Sequence, residues 1–441
     1  MFTTLKNAFK IKEIRLKLLF TLAMLAVIRF GSQLPVPGVD IAQFTAWFAS
    51  KIGNADTSGF LSAFTGGSFE NMSLLALNIT PYITSSIIMQ LLTIAIPKLE
   101  EMQKEGEEGR KKIASITRYV TVGLSLIESL AMAISFKNSG MLTENNFLNM
   151  FTVVATLTAG SAFLMWVGEQ ITEHGVGNGI SIVLVINIIS RIPSDIATLF
   201  KQFVLVEGKP IAVKIVAALI IIAIIVAIVV LVIILSDAER KIPVQYAKKM
   251  QGRKMVGGNT SAIPLKVNTA GVIPVIFASS LMQLPVVICN FFSVRTQGFG
   301  THVLKTLSSN NWVDPDQPVY SIGLLIYIVL VIFFAYFYTS ITFNPLEIAE
   351  NMKKSGGFIP GIRPGKPTSD YLTKVLNYII FIGASGLTIV CIIPYIFNGI
   401  FGASVSFGGT SLIIIVSVIL ETIKQVESQM LVRNYKGFLN D

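Results

Sequence analysis

The sequence predicts an all-α polytopic membrane protein, with ten transmembrane helices in two five-helix halves of inverted orientation. Three observations lead there. Of 441 residues, 52% are apolar and only 14% charged, a balance outside the range of soluble domains. Apolar stretches long enough to cross a bilayer, which takes roughly 20 residues, recur along the whole chain. Lys and Arg gather in the even-numbered loops and in both tails, the asymmetry that sets membrane orientation.

The elements follow in order. A basic tail (Lys6, Lys10, Lys12, Arg15, Lys17) precedes a first span at 18–35. No small-residue cleavage site follows it, and Arg29 interrupts the apolar run, so it reads as a retained helix and not a cleaved signal peptide. Further spans are expected at 72–96, 114–135, 151–171, 178–200, 213–235, 269–291, 319–342, 374–397 and 409–428. The sixth is the clearest, unbroken from Ala217 to Leu235. The fifth is interrupted by Asn178 and Asn187 and is expected to end at Pro193. An even span count and the basic loops at 97–113, 236–268 and 343–373 place those loops and both termini in the cytoplasm. The halves divide as 1–205 and 206–441. Five spans per half would invert the second relative to the first. No internal sequence repeat accompanies that division, which rests on the count.

The chain is organised around 58–97. Gly59 to Gly67 is too short to span and reads as a re-entrant piece. The run after it carries Asn78, Thr80, Thr84, Ser85, Ser86 and Gln90. Polar side chains in hydrocarbon must face protein or water, so this span reads as the wall of a polar path. Ile79 and Ile83, four apart, share a helical face and mark an apolar constriction on it.

Other chemistry is sparse. His174 and His302 are the only histidines, and Cys289 and Cys391 sit in apolar runs. No catalytic, metal or cofactor site is expected from them. Gly361 to Lys366 approaches a phosphate-binding loop, but the spacing is short and Pro367 follows the lysine, so the chain is not expected to hydrolyse ATP. Arg29 and Glu128 are the clear intramembrane charges. A secondary transporter of a small solute, the alternative reading, would need more such groups near the midplane. An intramembrane hydrolase lacks its histidine and its acid pair. The basic loops carry Arg240, Lys241, Lys248, Lys249, Arg253, Lys254, Lys353 and Lys354. They read as topology charge and as a docking surface for a large partner. Arg363, framed by Gly361-Ile362 and Pro364-Gly365, is presented by a rigid turn.

Several ordered motifs resemble the SecY family, the pore subunits of the Sec protein translocon. They are Gln33 to Asp40, Thr80-Pro81-Tyr82-Ile83, Gly168 to Glu173 with Gly177 to Ser181, Lys266 to Ser280, Pro360 to Gly365 and Phe407 to Leu412. The resemblance covers nearly the whole chain. It implies a clamshell of spans 1–5 and 6–10 around an hourglass pore, with a seam between spans 2–3 and 7–8. The pore's waist would be an aliphatic ring of Ile79, Ile83, Ile180, Leu184, Ile276 and Ile414. Leu184 stands where isoleucine is more usual. A plug at 58–69, with Phe60, Leu61, Phe64, Gly66 and Gly67, would close the outer side. Gln90 and Asn178 would be gate contacts beside the waist. The implied partners are SecE and SecG, the SecA motor ATPase, the ribosome, and secretory and membrane polypeptides with signal sequences, all at the lipid bilayer of a bacterial plasma membrane. Arg240, Lys241, Lys248, Lys249 and Arg363 would dock the cytoplasmic partners. Ile242-Pro243-Val244 departs from the expected basic loop tip. Pro81, Pro274 and Pro285 would soften helices near the seam.

Overall fold

The computed structural model describes residues 9–48, 65–204, 210–246, 249–251, 254–256, 260–291, 299–308, 312–313, 317–401 and 409–437. Each predicted span falls on a helix. The first half holds α1 (Lys12–Gly31), the short α2 (Ile41–Trp47), α3 (Thr80–Ala95), α4 (Pro97–Lys104), α5 (Glu107–Asn138), α6 (Phe147–His174) and α7 (Gly179–Leu199). The second holds α8 (Ile211–Asp237), α9 (Ile273–Phe291), α10 (Phe299–Leu307), α11 (Ile322–Thr342), α12 (Pro345–Lys354), α13 (Lys366–Phe401) and α14 (Gly409–Gly437). Among the described residues, six helices are long and apolar enough to cross a membrane, or seven if the bent pair α3 and α4 is one span.

The second predicted span is helical over only part of its length. Met72 (φ 42°) and Asn78 (φ 54°) adopt left-handed backbone, which a right-handed helix cannot pass through. Residues 66–79 instead form successive turns. Their main chain bonds to the loop after α1: Val36 N donates to Met72 O at 3.0 Å and Leu74 N to Leu34 O at 2.8 Å. The apolar residues there are buried in protein, with Met72 fully covered and Leu75 nearly so. α3 then starts at Thr80, with Pro81 in its first turn, where the missing N–H has no helical partner to lose. Pro81 therefore begins a helix and does not kink one. At the other end the chain turns by 101° between α3 and α4. Ile96 is extended (φ −111°, ψ 110°) because Pro97 follows it.

Pro193 does not end the fifth span. It lies inside α7, which runs to Leu199 and continues as a π turn, Phe200–Val204. A single interior proline removes one helical bond without forcing termination when neighbouring helices support the chain. α5 and α6 pack through a row of small polar residues, Thr117, Thr121, Ser125 and Ser129, all buried on α5. The Ser129 and Thr158 hydroxyls meet across the contact at 2.9 Å. Small residues let two membrane helices approach closely, and their hydroxyls find partners across the gap.

The charged segments at 236–268 and 343–373 are folded, not open loops. β1 (Glu239–Tyr246) and β4 (Thr260–Lys266) pair antiparallel from Glu239↔Lys266 to Gln245↔Thr260. β2 (Lys249–Gln251) and β3 (Lys254–Val256) form a second small ladder. β5 (Gly357–Phe358), from the other segment, adds to β1 at Gln245 and Tyr246. Ile242 and Val244 point inward and pack with Leu265, Met352, Ile359, Leu372 and Ile379. The Ile-Pro-Val triplet that departs from a basic tip is thus the buried face of a strand, with period-two alternation as its signal.

Candidate functional site

The six ring positions come from four separate stretches of chain. Ile79 caps α3 and Ile83 lies in its first turn, one turn apart through the Ile83 N to Ile79 O bond at 3.1 Å. Ile180 and Leu184 lie one turn apart on α7. Ile276 is in the first turn of α9 and Ile414 near the start of α14. The fold brings all six into one apolar cluster: Ile79, Leu184, Ile276 and Ile414 are among its buried members, and Ile83 and Ile180 pack against it half-buried. Ile79 and Ile414 are 0% and 1% exposed, so water does not reach them in this conformation. Each isoleucine removed from water contributes on the order of 1.5–3 kcal/mol. Four of the cluster's elements belong to the first half and two to the second, so it lies on the contact between the halves.

Behind Ile79 lies a polar network that sequence reasoning did not assemble. Asn187 Nδ2 of α7 donates to Asn78 Oδ1 at 3.0 Å, and Ser161 Oγ of α6 donates to Asn78 O at 3.2 Å. Arg29 Nη1 of α1 and Ser190 Oγ of α7 both reach the Gly66 carbonyl, each at 3.5 Å. Glu70 and Arg191 form an ion pair with both side chains about three-quarters covered. The only signal in the sequence was polar residues inside apolar spans. Partners 37, 109 and 121 residues apart cannot be matched by spacing.

Of the plug residues, Phe60, Leu61 and Phe64 lie outside the described residues. Gly66 (φ 62°) and Gly67 (φ 81°) hold left-handed backbone. A Cβ on Gly66 would stand 2.8 Å from the Asn187 carbonyl oxygen, so this position needs glycine for close approach as well as for its φ. Gln90 is half-buried, further along α3. Asn178 is the N-cap of α7: its Oδ1 accepts from Ile180 N at 3.2 Å and Ser181 N at 3.4 Å. These bonds run to its own helix.

On the folded loops, Arg240, Lys241 and Arg363 are exposed. Lys248 lies outside the described residues, and Lys249 opens β2. The Arg363 turn is held as its glycines suggest. Gly361 (φ 84°) and Gly365 (φ 100°) take left-handed backbone, and Thr368 Oγ1 donates to Arg363 O at 2.8 Å. The guanidinium is therefore carried on a fixed backbone.

Among the described residues no group of three or more His, Cys, Asp or Glu is placed to hold a metal. What the fold and the cluster define is a polytopic helical membrane protein with a buried aliphatic cluster where its two sets of helices meet. The SecY family model matches residues 73–423. Curated relatives called protein translocase subunit SecY share 42% identity with this chain in Streptomyces galbus and 43% in Bacillus subtilis (strain 168), each aligned over 100% of both chains. The chain belongs to the SecY family. The solved structure of a protein-conducting channel superposes with a TM-score of 0.60 at 19% identity, covering 94% of this chain and 92% of that one. A Sec61 structure from a canine ribosome–channel complex superposes with a TM-score of 0.59 at 17% identity, covering 94% and 92%. These two likenesses concern the fold.

Proposed function

We propose that this chain is the central protein-conducting subunit of a Sec translocon. It passes unfolded secretory polypeptides across the membrane and releases transmembrane segments sideways into the bilayer. One observation carries the reading: six aliphatic side chains from four distant stretches converge at the contact between the halves. A narrow aliphatic ring dewets and blocks ions without holding any particular side chain, so chains of any sequence slide through. Membership in the SecY family supports the same reading.

The halves are 1–205 and 206–441, joined by the stretch before α8, and they part to open both the ring and a lateral seam. An apolar signal segment in that seam replaces contacts between helices and shifts the population toward the open state. The membrane is the bacterial plasma membrane, with both termini in the cytoplasm, as the Lys and Arg distribution favours. SecE and SecG are the membrane partners. SecA and the ribosome dock on the folded loops, where Arg240, Lys241, Lys248, Lys249 and Arg363 supply positive charge. Gln90 and Asn178, beside the ring, bias the gate toward closed.

The test places one cysteine at Ile83 in a chain lacking Cys289 and Cys391. A secretory polypeptide stalled midway carries the second cysteine. Crosslinking that tracks the stalled position supports passage through the ring. Confirmed translocation with an accessible thiol and no crosslink overturns the ring assignment.

A further inference from the structure

The turn between α6 and α7, residues 175–178, ends two residues before Ile180 of the ring, on the side that the channel reading makes cytoplasmic. We infer that Thr21 of α1 and Thr172 of α6 are positioning residues for the ring. Their hydroxyls seat this turn, and the seated turn sets where α7 begins and where Ile180 and Leu184 stand. The inference rests on the channel reading above.

Each hydroxyl makes two bonds. Thr172 Oγ1 donates to Gly168 O at 2.9 Å within its own helix and accepts from Gly179 N at 2.9 Å. Thr21 Oγ1 donates to Lys17 O at 3.0 Å and accepts from Val176 N at 3.2 Å. Donation to the carbonyl four residues back is ordinary for a helical threonine, as at Thr93 and Thr339. The second bond, to an amide of a different element, is the one that fixes the turn. Gly179, Ile180 and Ser181 open α7, so their amides have no carbonyl one turn back within it. Asn178 Oδ1 takes those of Ile180 and Ser181, and Thr172 takes that of Gly179. Val176 is 1% exposed, and without Thr21 its amide would lose this partner in a buried place. The packing is equally close. A Cβ on Gly179 would stand 1.9 Å from Gly168 O, and one on Gly168 would stand 3.1 Å from Ile180 Cγ1. α7 therefore starts in main-chain contact with α6, and Ile180 rests on Gly168. Gly177 (φ 85°) faces α14, where an added Cβ would lie 2.9 Å from Thr422 Oγ1. Val176 packs with Ile14 of α1 and Val426 of α14. The turn thus touches the helices that carry Ile180, Leu184 and Ile414, and a shift in it reaches ring positions of both halves.

The test compares Thr21→Val and Thr172→Val, which keep the branched shape and remove the hydroxyl, with Thr21→Ser and Thr172→Ser, which keep the hydroxyl. In a chain free of native cysteines, Ile180→Cys is labelled with a polar thiol reagent. Leu164→Cys, at a site 1% exposed on α6, reports general loosening. The valine variants should speed labelling of Ile180→Cys by about threefold or more and leave Leu164→Cys unchanged. The serine variants should match the parent within about twofold. Equal acceleration at both cysteines, acceleration at neither, or serine variants that behave like the valine ones would each overturn the inference. Ion leak through the resting channel separates this inference from the channel reading. Ile83→Asn should raise the leak, and so should the valine variants. If Ile83→Asn raises it and the valine variants do not, the inference falls and the channel reading stands. If Ile83→Asn does not, both fall. Amide exchange on the unaltered chain is independent of whether any variant folds. The Val176 and Gly179 amides should exchange about tenfold or more slower than an open-loop amide, and exchange at the open rate overturns the seating.

Discussion

At the scale of single residues, apolar closure and close backbone contact decide behaviour. Ile83 is half-buried against the ring cluster, so an amide placed there meets apolar neighbours and admits water. Ile83→Asn is expected to weaken the seal: single-channel recording should show raised ion leak, and reporters with defective signal sequences should be exported more efficiently. An unchanged export phenotype would remove Ile83 from the ring. Gly160 answers a different demand. Its φ is ordinary, but a Cβ there would collide with Leu74 O, so α6 and the 65–78 segment are forced apart by a single methyl group. Gly160→Ala should destabilise the folded chain by about 1–3 kcal/mol, visible as a lower thermal midpoint in detergent. Neither Gly160 nor the Asn78–Asn187 pair was legible in the sequence. Each depends on residues dozens of positions away, and a small residue inside an apolar span has many ordinary explanations.

At the scale of elements, the sequence was a good guide to helices and a poor one to the charged loops. Apolar runs of bilayer length must satisfy their backbone internally, so they are helices wherever they stand. The boundaries moved where local backbone chemistry intervened, as at Asn78 with its left-handed φ and at Ile96 before Pro97. The sheet at 236–268 was hidden by charge. Arg240 and Lys241 drew attention, while Ile242 and Val244 carried the structure by facing Met352, Ile359 and Leu372. Val244 is 1% exposed, and a carboxylate cannot be buried there unpaired. Val244→Asp should therefore open the β1–β4 hairpin. Limited proteolysis should cut within 236–268 in the variant and not in the parent, while far-UV circular dichroism reports unchanged helix content. Equal resistance to protease in both would show that the strand does not depend on this face.

At the scale of the molecule, two charged segments far apart in sequence become one platform, joined by the β1–β5 ladder and continuous with the long helix α13. A partner that docks at Arg363 therefore pulls on the same body as one that docks at Arg240. Because Arg363 is exposed and its turn is held by backbone bonds, Arg363→Glu should leave the thermal midpoint unchanged. It should also weaken binding of the motor ATPase to membranes containing the channel by at least tenfold at low salt. Undiminished binding would place the docking surface elsewhere. By itself the sequence determined the membrane class, the positions of the helices and the six aliphatic residues proposed for the ring, because hydropathy and short ordered motifs are local properties of the chain. Only the tertiary structure decided that those six side chains meet in one cluster, that 65–78 is bound to α1, α6 and α7, and that the basic loops share a sheet. Those outcomes depend on which distant groups satisfy one another's hydrogen bonds, charge and apolar surface, and no local pattern encodes that pairing.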